Sequence, residues 1–310
     1  MDNLTHSLIG AALGQAGLKR KTGLAMPALI IAANLPDIDA GCAIYGIESL
    51  SMRRGITHGP IALLLLPVLL AAGLWWFDRW QEKRGKRPAG RLPVRFGWLL
   101  ALCYIGTLTH PVFDWLNNYG IRLLEPFSSQ WFYGDTLFII DIWILLMLGA
   151  GIWLSLRRER MPSVNWSRPA RVALLGVLGY VALNLGISAR AASWVRSDEP
   201  YPRIAVANAV PFAFWRREVL WRGEDGYGSI NYSLFGALRR VDLPKKIGMD
   251  DPRIAGLAAV DAPARAFLFW SRMPVAELHA DRIILRDQRF MNPLTADQFS
   301  VTLEPKKIGR

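Results

Sequence analysis

Long stretches without charged side chains are the strongest constraint on how this chain can fold. Two of them contain no Lys, Arg, Asp or Glu, a third contains only Asp141, and a fourth is interrupted only by His110. Each is close to the roughly 20 apolar residues that a helix needs to cross the hydrocarbon core of a bilayer. We therefore predict transmembrane helices at Gly59 to Phe77, Phe96 to Phe113, Thr136 to Leu156 and Val172 to Ala189.

The composition of the whole chain agrees with a membrane protein. Of its 310 residues, 52% are hydrophobic and 20% are charged, and the mean hydropathy is +0.20. Soluble domains usually carry about 25% charged residues. These values exclude a disordered chain and disfavour a fully water-soluble one. The two cysteines, Cys42 and Cys103, are too few for a disulfide framework or a thiolate metal site, so we expect both to be free.

The first 36 residues contain two shorter apolar stretches, Asn3 to Leu18 and Thr22 to Pro36, on either side of a basic triplet at 19–21. The positive charge follows the first apolar stretch, whereas a cleaved secretory signal carries it in front. Gly10 and Gly14 have the small-xxx-small spacing that lets two helices approach closely. We predict a tight helical hairpin that is spanning or re-entrant, with a single interfacial helix as the alternative.

The distribution of basic residues predicts the orientation in the membrane. Segments 19–21, 79–95 and 157–171 hold 15 Lys or Arg, whereas the alternate connections, 39–57 and 117–135, hold only Arg53, Arg54 and Arg122. The positive-inside rule places the first set in the cytoplasm. This arrangement explains most of the net charge of +12. We expect no nucleic-acid partner, because these loops lack a helix-turn-helix pattern and an aromatic-interleaved basic face.

The character of the chain changes near Ser193, where apolar runs shorten and alternating segments begin. Val219 to Trp221 and Tyr227 to Tyr232 are predicted to form a hairpin, and further strands are predicted at Arg265 to Trp270 and Arg282 to Leu285. The expected fold class is therefore mainly α: a multi-pass transmembrane bundle over residues 1–192, followed by a small β-rich soluble domain over residues 193–310. The count of spans places that domain in the periplasm.

Polar residues inside the apolar half are few, and three of its histidines each follow a threonine, at Thr5-His6, Thr57-His58 and Thr109-His110. Such a pair suits a threonine that caps a helix and a histidine in its first turn. The carboxylates show a similar bias. Asp37 and Asp39 follow Pro36, which disfavours helix before it and predicts a turn.

Further acids accompany the later helices. Asp114 lies four residues after His110, on the same helical face, and Asp135 and Asp141 flank the start of a predicted span. Ionisable groups at membrane depth are costly and usually functional. In the predicted topology all of these residues fall at the outer membrane edge, where imidazoles and carboxylates together suit zinc, manganese or iron. The predicted ligands are His6, Asp37, Asp39, His58, His110 and Asp114.

Several motifs resemble those of the inner-membrane metal-dependent hydrolases described as LexA-regulated, the YdjM-like family. They are THSLIG at 5–10, NLPDID at 34–39, RGITHG at 54–59, THPVFDWLNNYG at 109–120 and WFYGDTLFIID at 131–141. The pieces FLFWSRMPV at 267–275 and RDQRF at 286–290 resemble the extracytoplasmic tail of that family. The resemblance implies a multi-pass bacterial inner-membrane protein with metal-dependent hydrolase activity.

A more distant similarity concerns the order of the ligands. The sequence His, Asp, His and then His-x3-Asp is similar to zinc-dependent phospholipase C and the P1-type nucleases, and His6, Asp39, His58, His110 and Asp114 match it. The chain lacks the later histidine pair with a following glutamate, so we expect one or two divalent ions, with zinc favoured and manganese or iron as alternatives.

The expected function is a membrane-bound hydrolase that acts on a phosphoester or lipid-like substrate at the periplasmic face. Asp135 is the expected general base or additional ligand, and Asp141 a catalytic partner that orients a histidine. Membrane lipid is the expected partner, and a lipid or small molecule the substrate. Two other classes remain open, a metal or ion transporter that uses the same His and Asp set, and a non-enzymatic regulatory or scaffold protein.

Overall fold

The computed structural model describes residues 1–161, 165–198, 204–224, 226–236, 239–240, 244–292 and 295–304. The chain forms two compact units, of which the first contains residues 1–38, 54–186 and 210–214 and the second contains 39–53, 187–209 and 215–310. Neither unit is one continuous stretch of chain. The helices before the first strand are α1 (Asn3–Gln15), α2 (Ala25–Asn34), α3 (Ser49–Met52), α4 (Pro60–Lys83), α5 (Phe96–Trp115), α6 (Ile142–Glu159) and α7 (Arg168–Asp198).

The predicted N-terminal hairpin is present as α1 and α2, which pack closely against each other. A Cβ atom added to Gly10 would lie 2.6 Å from the carbonyl oxygen of Leu29, so only glycine permits this approach of the two backbones. With 13 and 10 residues, the helices are about 20 and 15 Å long. Neither α-helix alone reaches across a hydrocarbon core of about 30 Å.

Four helical stretches are long and apolar enough to cross a membrane: Ala25–Met52, Pro60–Lys83, Phe96–Trp115 and Arg168–Arg196. Three of these coincide with predicted spans. Along α4 the apolar side chains of Leu64, Leu69 and Trp76 are 60%, 66% and 65% exposed. A long helix that exposes such side chains finds a favourable surrounding in lipid and not in water.

The predicted span at 136–156 begins too early. Helix α6 starts at Ile142, and Asp141 is its N-cap, with its carboxylate accepting hydrogen bonds from the backbone N–H groups of Trp143 and Ile144. Asp141 therefore lies before the helix and not inside it. The apolar part of α6, residues 142–156, is roughly 22 Å long before the first arginine of its last turn.

The core of the first unit joins α2 to α5. Leu29, Ala32 and Ala28 of α2 and Leu99 and Cys103 of α5 are fully buried. Ala71 of α4 packs into the same cluster, and α1 packs against α6. These contacts fix the position of α5 in the middle of the unit, so a polar group on its buried face lies away from lipid.

The second unit carries the strands of the fold. Strands β1 (Ile204–Ala209), β2 (Arg216–Arg222), β3 (Tyr227–Ser233) and β4 (Arg239–Arg240) form one antiparallel sheet in sequence order, and β5 (Pro274–Leu278), β6 (Ile283–Asp287) and β7 (Ser300–Leu303) form another. The predicted hairpin is confirmed, with Val219 opposite Ile230. The chain is thus a mainly helical protein with apolar spans, followed by small antiparallel sheets.

The strand predicted at Arg265 to Trp270 is wrong, because this segment forms helix α9 (Ala262–Trp270), which follows α8 (Pro252–Val260). Asp261 caps α9 by accepting a hydrogen bond from the N–H of Ala264, and a proline stands in its first turn. These helix-start signals outweigh the β propensity of the aromatic residues that follow.

A buried ion pair stabilises the end of β6. Both carboxylate oxygens of Asp287 lie 2.8 Å from guanidinium nitrogens of Arg289, and the hydroxyl of Ser271 also donates to Asp287. Burial raises the pKa of Asp287, but the charge of Arg289 and these hydrogen bonds outweigh burial and hold the pKa below its ordinary value. Asp287 is therefore a charged group inside the second unit.

Candidate metal centre

Four side chains of the first unit form a compact group of possible metal ligands. One ligand atom from each of Asp37, His58, His110 and Asp114 lies within 4.8 Å of the other three, and all four residues are buried. They come from three places in the chain: the 3-10 segment Leu35–Glu48 after α2, the 3-10 turn Ile56–His58 before α4, and α5. All four were predicted as ligands from the sequence.

Helix α5 supplies two of the four. His110 and Asp114 are one helical turn apart, so their side chains share a face. The Nε2 atom of His110 lies 3.4 Å from Oδ2 of Asp114 and 3.6 Å from Oδ1 of Asp37. The 3-10 segment after α2 therefore contacts the buried face of α5 through Asp37.

The hydrogen bond on the other ring nitrogen of His110 defines its tautomer. Nδ1 lies 2.7 Å from the carbonyl oxygen of Ala33, which can only accept, so Nδ1 carries the proton. In the neutral ring the lone pair of Nε2 then faces two carboxylates, and in the part of the chain that the structure describes Nε2 has no hydrogen-bond partner. A cation between these groups would compensate the repulsion between the Nε2 lone pair and the two carboxylates. A backbone carbonyl that accepts a hydrogen bond from the other ring nitrogen is typical of a metal-binding histidine.

His58 has a related arrangement. Its Nδ1 lies 3.0 Å from the hydroxyl oxygen of Thr57, and its Nε2 lies 3.4 Å from Oδ2 of Asp114. Thr57 thus contacts the neighbouring ring and does not cap a helix. The capping role predicted for the other two threonines is also wrong, because Asp2 caps α1 and Thr109 bonds within α5 to the carbonyl oxygen of Gly106.

His6 lies beside the group without being one of the four. Its ring stacks on that of His110 with centroids 3.8 Å apart, and its Nε2 lies 3.3 Å from Oδ1 of Asp114. His6 is fully buried in α1. It could therefore complete the coordination of the same ion or help to hold a second one.

The remaining predicted residues are placed elsewhere than in the group of four. Asp39 is assigned to the second unit. Asp135 has a left-handed backbone conformation with φ 48°. Asp141 caps α6 and accepts a hydrogen bond of 2.9 Å from the hydroxyl of Tyr180. The roles predicted for these three acids stay predictions.

The sequence prediction missed Arg54 as a member of the site. Its Nε lies 2.9 Å from Oδ2 of Asp114, its Nη2 lies 3.2 Å from Oδ1, and its Nη1 donates to the side-chain oxygen of Asn117. The amino group of Met1 also contacts Asp114. Arg54 could have been found from the charge pattern, because the connection that holds it is otherwise nearly free of basic residues.

The basic segments meet at the opposite helix ends of the same unit. The Nζ atom of Lys19 lies 2.5 Å from a carboxylate oxygen of Glu159, and both Lys19 and Arg20 lie over the ring of Trp166. The backbone N–H of Gly23 donates to the carbonyl oxygen of Pro93. These contacts join three predicted cytoplasmic segments, so the basic end and the candidate metal centre are separated by the length of the helices.

The comparisons with known proteins agree with the membrane assignment. Residues 1–194, which include all the residues of the candidate centre, match the family described as YdjM inner membrane protein. The search of curated proteins and the search of solved structures both find no match. The matched region covers more than half of the chain and contains the apolar helices, and the chain belongs to the YdjM inner membrane protein family.

Proposed function

We infer that this protein is a metal-dependent hydrolase embedded in the inner membrane, with Asp37, His58, His110 and Asp114 as its metal ligands. The observation that carries the proposal is the orientation of His110. The carbonyl oxygen of Ala33 holds its protonated Nδ1, and its Nε2 is directed toward two buried carboxylates. With a neutral ring, a metal cation among the three groups would bind the lone pair of Nε2 and compensate the charge of the two carboxylates.

The donor set supports a divalent transition metal. Two imidazoles and two carboxylates are the ligands of many zinc sites, and four ligands suit its tetrahedral geometry. Manganese and iron accept the same donors. His6 could contribute a fifth ligand to the same ion, or it could help to hold a second ion.

The roles of the protein groups follow from their contacts. A divalent ion held there would polarise a phosphoryl oxygen and make water a better nucleophile at neutral pH. Ala33 and Thr57 orient the two histidines, and burial of the ligands keeps competing water away. Asp135 remains our candidate for the general base. Because all four ligands are buried, entry of a substrate requires a local opening.

The side of the membrane follows from charge. The basic segments lie at the helix ends away from the centre, and the positive-inside rule assigns them to the cytoplasm. We therefore place the centre at the periplasmic face, together with the soluble C-terminal domain. A phosphoester or lipid-like substrate that reaches the outer leaflet fits this position, and the order of the His and Asp residues favours a phosphoester.

The first test is metal analysis of the full-length protein purified in detergent. We expect stoichiometric metal in the wild type and its loss in a His58→Ala, His110→Ala double variant. His279→Ala is the matched control, because His279 is exposed in the second unit and the same side chain is removed. Equal metal content in the wild type and the double variant would sink the proposed centre.

The second test separates a hydrolase from a transporter. Metal-loaded protein is assayed for release of phosphate or a phosphorylated product from lipid and small phosphoesters, with the double variant as the inactive control. In parallel, proteoliposomes are assayed for metal flux. Flux without turnover of any phosphoester would contradict the hydrolase proposal and identify a transport path.

A further inference from the structure

A groove of about 630 Å³ lies between α6 and α7, at the basic ends of these helices. Its apolar walls include Met147 and Leu154 of α6 and Val172 of α7. Arg158, in the last turn of α6, and Arg168, the first residue of α7, also line the groove. Leu154 and Val172 are 38% and 58% exposed, so the groove opens at the surface of the unit. It is therefore apolar along most of its length and cationic at one end.

The absence of large side chains beside the helix contact creates the groove. A Cβ atom added to Gly151 of α6 would lie 2.4 Å from the Cβ of Ala173, so the two helices touch there. Gly176 of α7 also lines the groove, and a Cβ added to it would lie 3.4 Å from Sδ of Met147, at an ordinary van der Waals distance. The space beside the contact is thus left open and could hold an apolar chain.

The length of the groove corresponds to about one leaflet of a bilayer. Met147 and Arg158 are 11 residues apart on α6, and Arg168 and Gly176 are eight residues apart on α7, which is about 16 and 12 Å of helix. Half of a hydrocarbon core of about 30 Å is about 15 Å. A groove that starts at the basic helix ends and has this length follows the path of a phospholipid acyl chain.

The two arginines of the groove lack an acidic partner. Within the described ranges, the side chains of Arg158 and Arg168 form neither an ion pair nor a hydrogen bond. Segment 157–171 contains five arginines and one acid, Glu159, and the carboxylate of Glu159 is paired with Lys19. Two cations that are not balanced, at the end of an apolar groove, complement an anion that carries an apolar chain.

We propose that this groove binds an anionic phospholipid from the leaflet at the basic end of the first unit. The phosphate lies between Arg158 and Arg168, whose guanidinium forks match phosphate oxygens, and one acyl chain lies between α6 and α7. Basic pockets between transmembrane helices are known positions for anionic head groups. The candidate metal centre lies at the opposite helix ends, so this lipid is a bound partner and not the substrate, and the inference does not depend on the proposed function.

The experiment measures binding of phosphatidylglycerol to the full-length protein in detergent by native mass spectrometry. Phosphatidylcholine with the same acyl chains tests the need for a net negative charge, and glycerol phosphate tests the need for the chains. The first variant changes both Arg158 and Arg168 to Gln. Its matched control changes both Arg157 and Arg160 to Gln, which removes the same charge from the same end of the unit without changing a residue that lines the groove.

A second pair of variants fills the groove without changing the charge. Gly176→Leu places a side chain in the groove, where its Cβ has room. Gly179→Leu is the matched control, because it adds the same side chain to the same helix at a position that has open space and does not line the groove. Circular dichroism verifies that each variant is folded, and the oligomeric state is determined on the same samples.

We expect the wild type to bind phosphatidylglycerol more tightly than phosphatidylcholine and glycerol phosphate. An arginine near an anionic head group is worth about fivefold in affinity, so loss of Arg158 and Arg168 should weaken phosphatidylglycerol binding about 30-fold. Gly176→Leu should weaken it about 10-fold or more, because the added side chain displaces methylene groups of the acyl chain. Both control variants should bind as the wild type does.

Several results would overturn the inference. Wild-type affinity for phosphatidylglycerol in the Arg158, Arg168 variant or in Gly176→Leu would exclude the groove, and an equal loss in the Arg157, Arg160 control would indicate general attraction to the basic end. Equal binding of glycerol phosphate would identify a site for a soluble anion. A wild-type dimer that Gly176→Leu converts to a monomer would show that a second copy of the chain fills the groove. Each variant tests the groove by itself, so one that does not fold leaves the other decisive.

Discussion

The ion pair between Arg54 and Asp114 can be tested by a double-mutant cycle on the metal-free protein. The two single variants are Arg54→Gln and Asp114→Asn, and the third carries both changes. Each single change leaves one buried charge without its main partner, whereas the double change removes both charges. The cycle therefore measures the interaction between the two side chains and excludes the effects that each change has on its own.

The expected magnitude follows from burial and distance. The side chains of Asp114 and Arg54 are 0% and 4% exposed, and their atoms are 2.9 Å apart at Nε and Oδ2. Removal of one partner from such a buried pair costs about 3–5 kcal/mol of unfolding free energy. We expect about 3 kcal/mol for Arg54→Gln, because the amino group of Met1 still contacts Asp114. The coupling free energy should be about 2–3 kcal/mol.

The assay is reversible unfolding in mixed micelles with a chelator present, followed by far-ultraviolet circular dichroism. The exposed pair Arg79 and Glu82, whose side chains are 55% and 46% exposed, is the matched control for an arginine and an acid in contact. Its coupling should be at most about 1 kcal/mol. Additive single effects at Arg54 and Asp114, with coupling no larger than in the control, would refute the reasoning from burial.

Three further predictions concern other parts of the chain. Gly59→Ala should lower the unfolding free energy by about 1–3 kcal/mol in the same assay, because its methyl group meets a backbone carbonyl oxygen, whereas Gly73→Ala, with open space around it, should not. Asp141→Ala should cost about 1 kcal/mol through the lost cap of α6 and leave metal content unchanged; loss of metal would show that Asp141 has a role at the metal centre besides capping. Asp287 has a lowered pKa, so its contribution to stability is present above its unfolded pKa of about 3.9 and is lost as the pH falls toward its folded value. Asp287→Asn should reduce this loss of stability at acid pH, as followed by near-ultraviolet circular dichroism. An unchanged pH dependence in the variant would show that another group causes the loss.

The ligands on α5 could be predicted because their spacing is local. His110 and Asp114 are four residues apart in an apolar stretch, so any helix there places both on one face. Asp37 was also predicted as a ligand, but the reason given for it is wrong, because Leu35 before Pro36 keeps a helical conformation and Asp37 lies in a 3-10 segment instead of a turn. The charge pattern singles out the connection that holds Arg54, but the contact of Arg54 with Asp114 depends on a left-handed backbone conformation that no local pattern specifies.

The errors in the fold prediction have a common cause. Apolar content alone predicts a span that includes Asp141 and a strand at residues 265–270, although an aspartate cap begins a helix in both segments. Both segments are ordered by an aspartate whose carboxylate accepts from the first turn of a helix. A cap is worth about 1 kcal/mol, which is enough to shift a boundary when apolar residues suit either structure.

The sequence by itself determined that this chain has lipid-compatible helices, that its basic segments lie at one set of helix ends, and which histidines and acids lie at the other. These properties depend on hydrophobicity and charge along the chain, which are local. Only the tertiary structure decided which of those side chains share one site, that the Nε2 of His110 faces two carboxylates, and that Arg54 pairs with Asp114. Such contacts join residues far apart in the chain, and a few ångströms in helix packing decide whether they form.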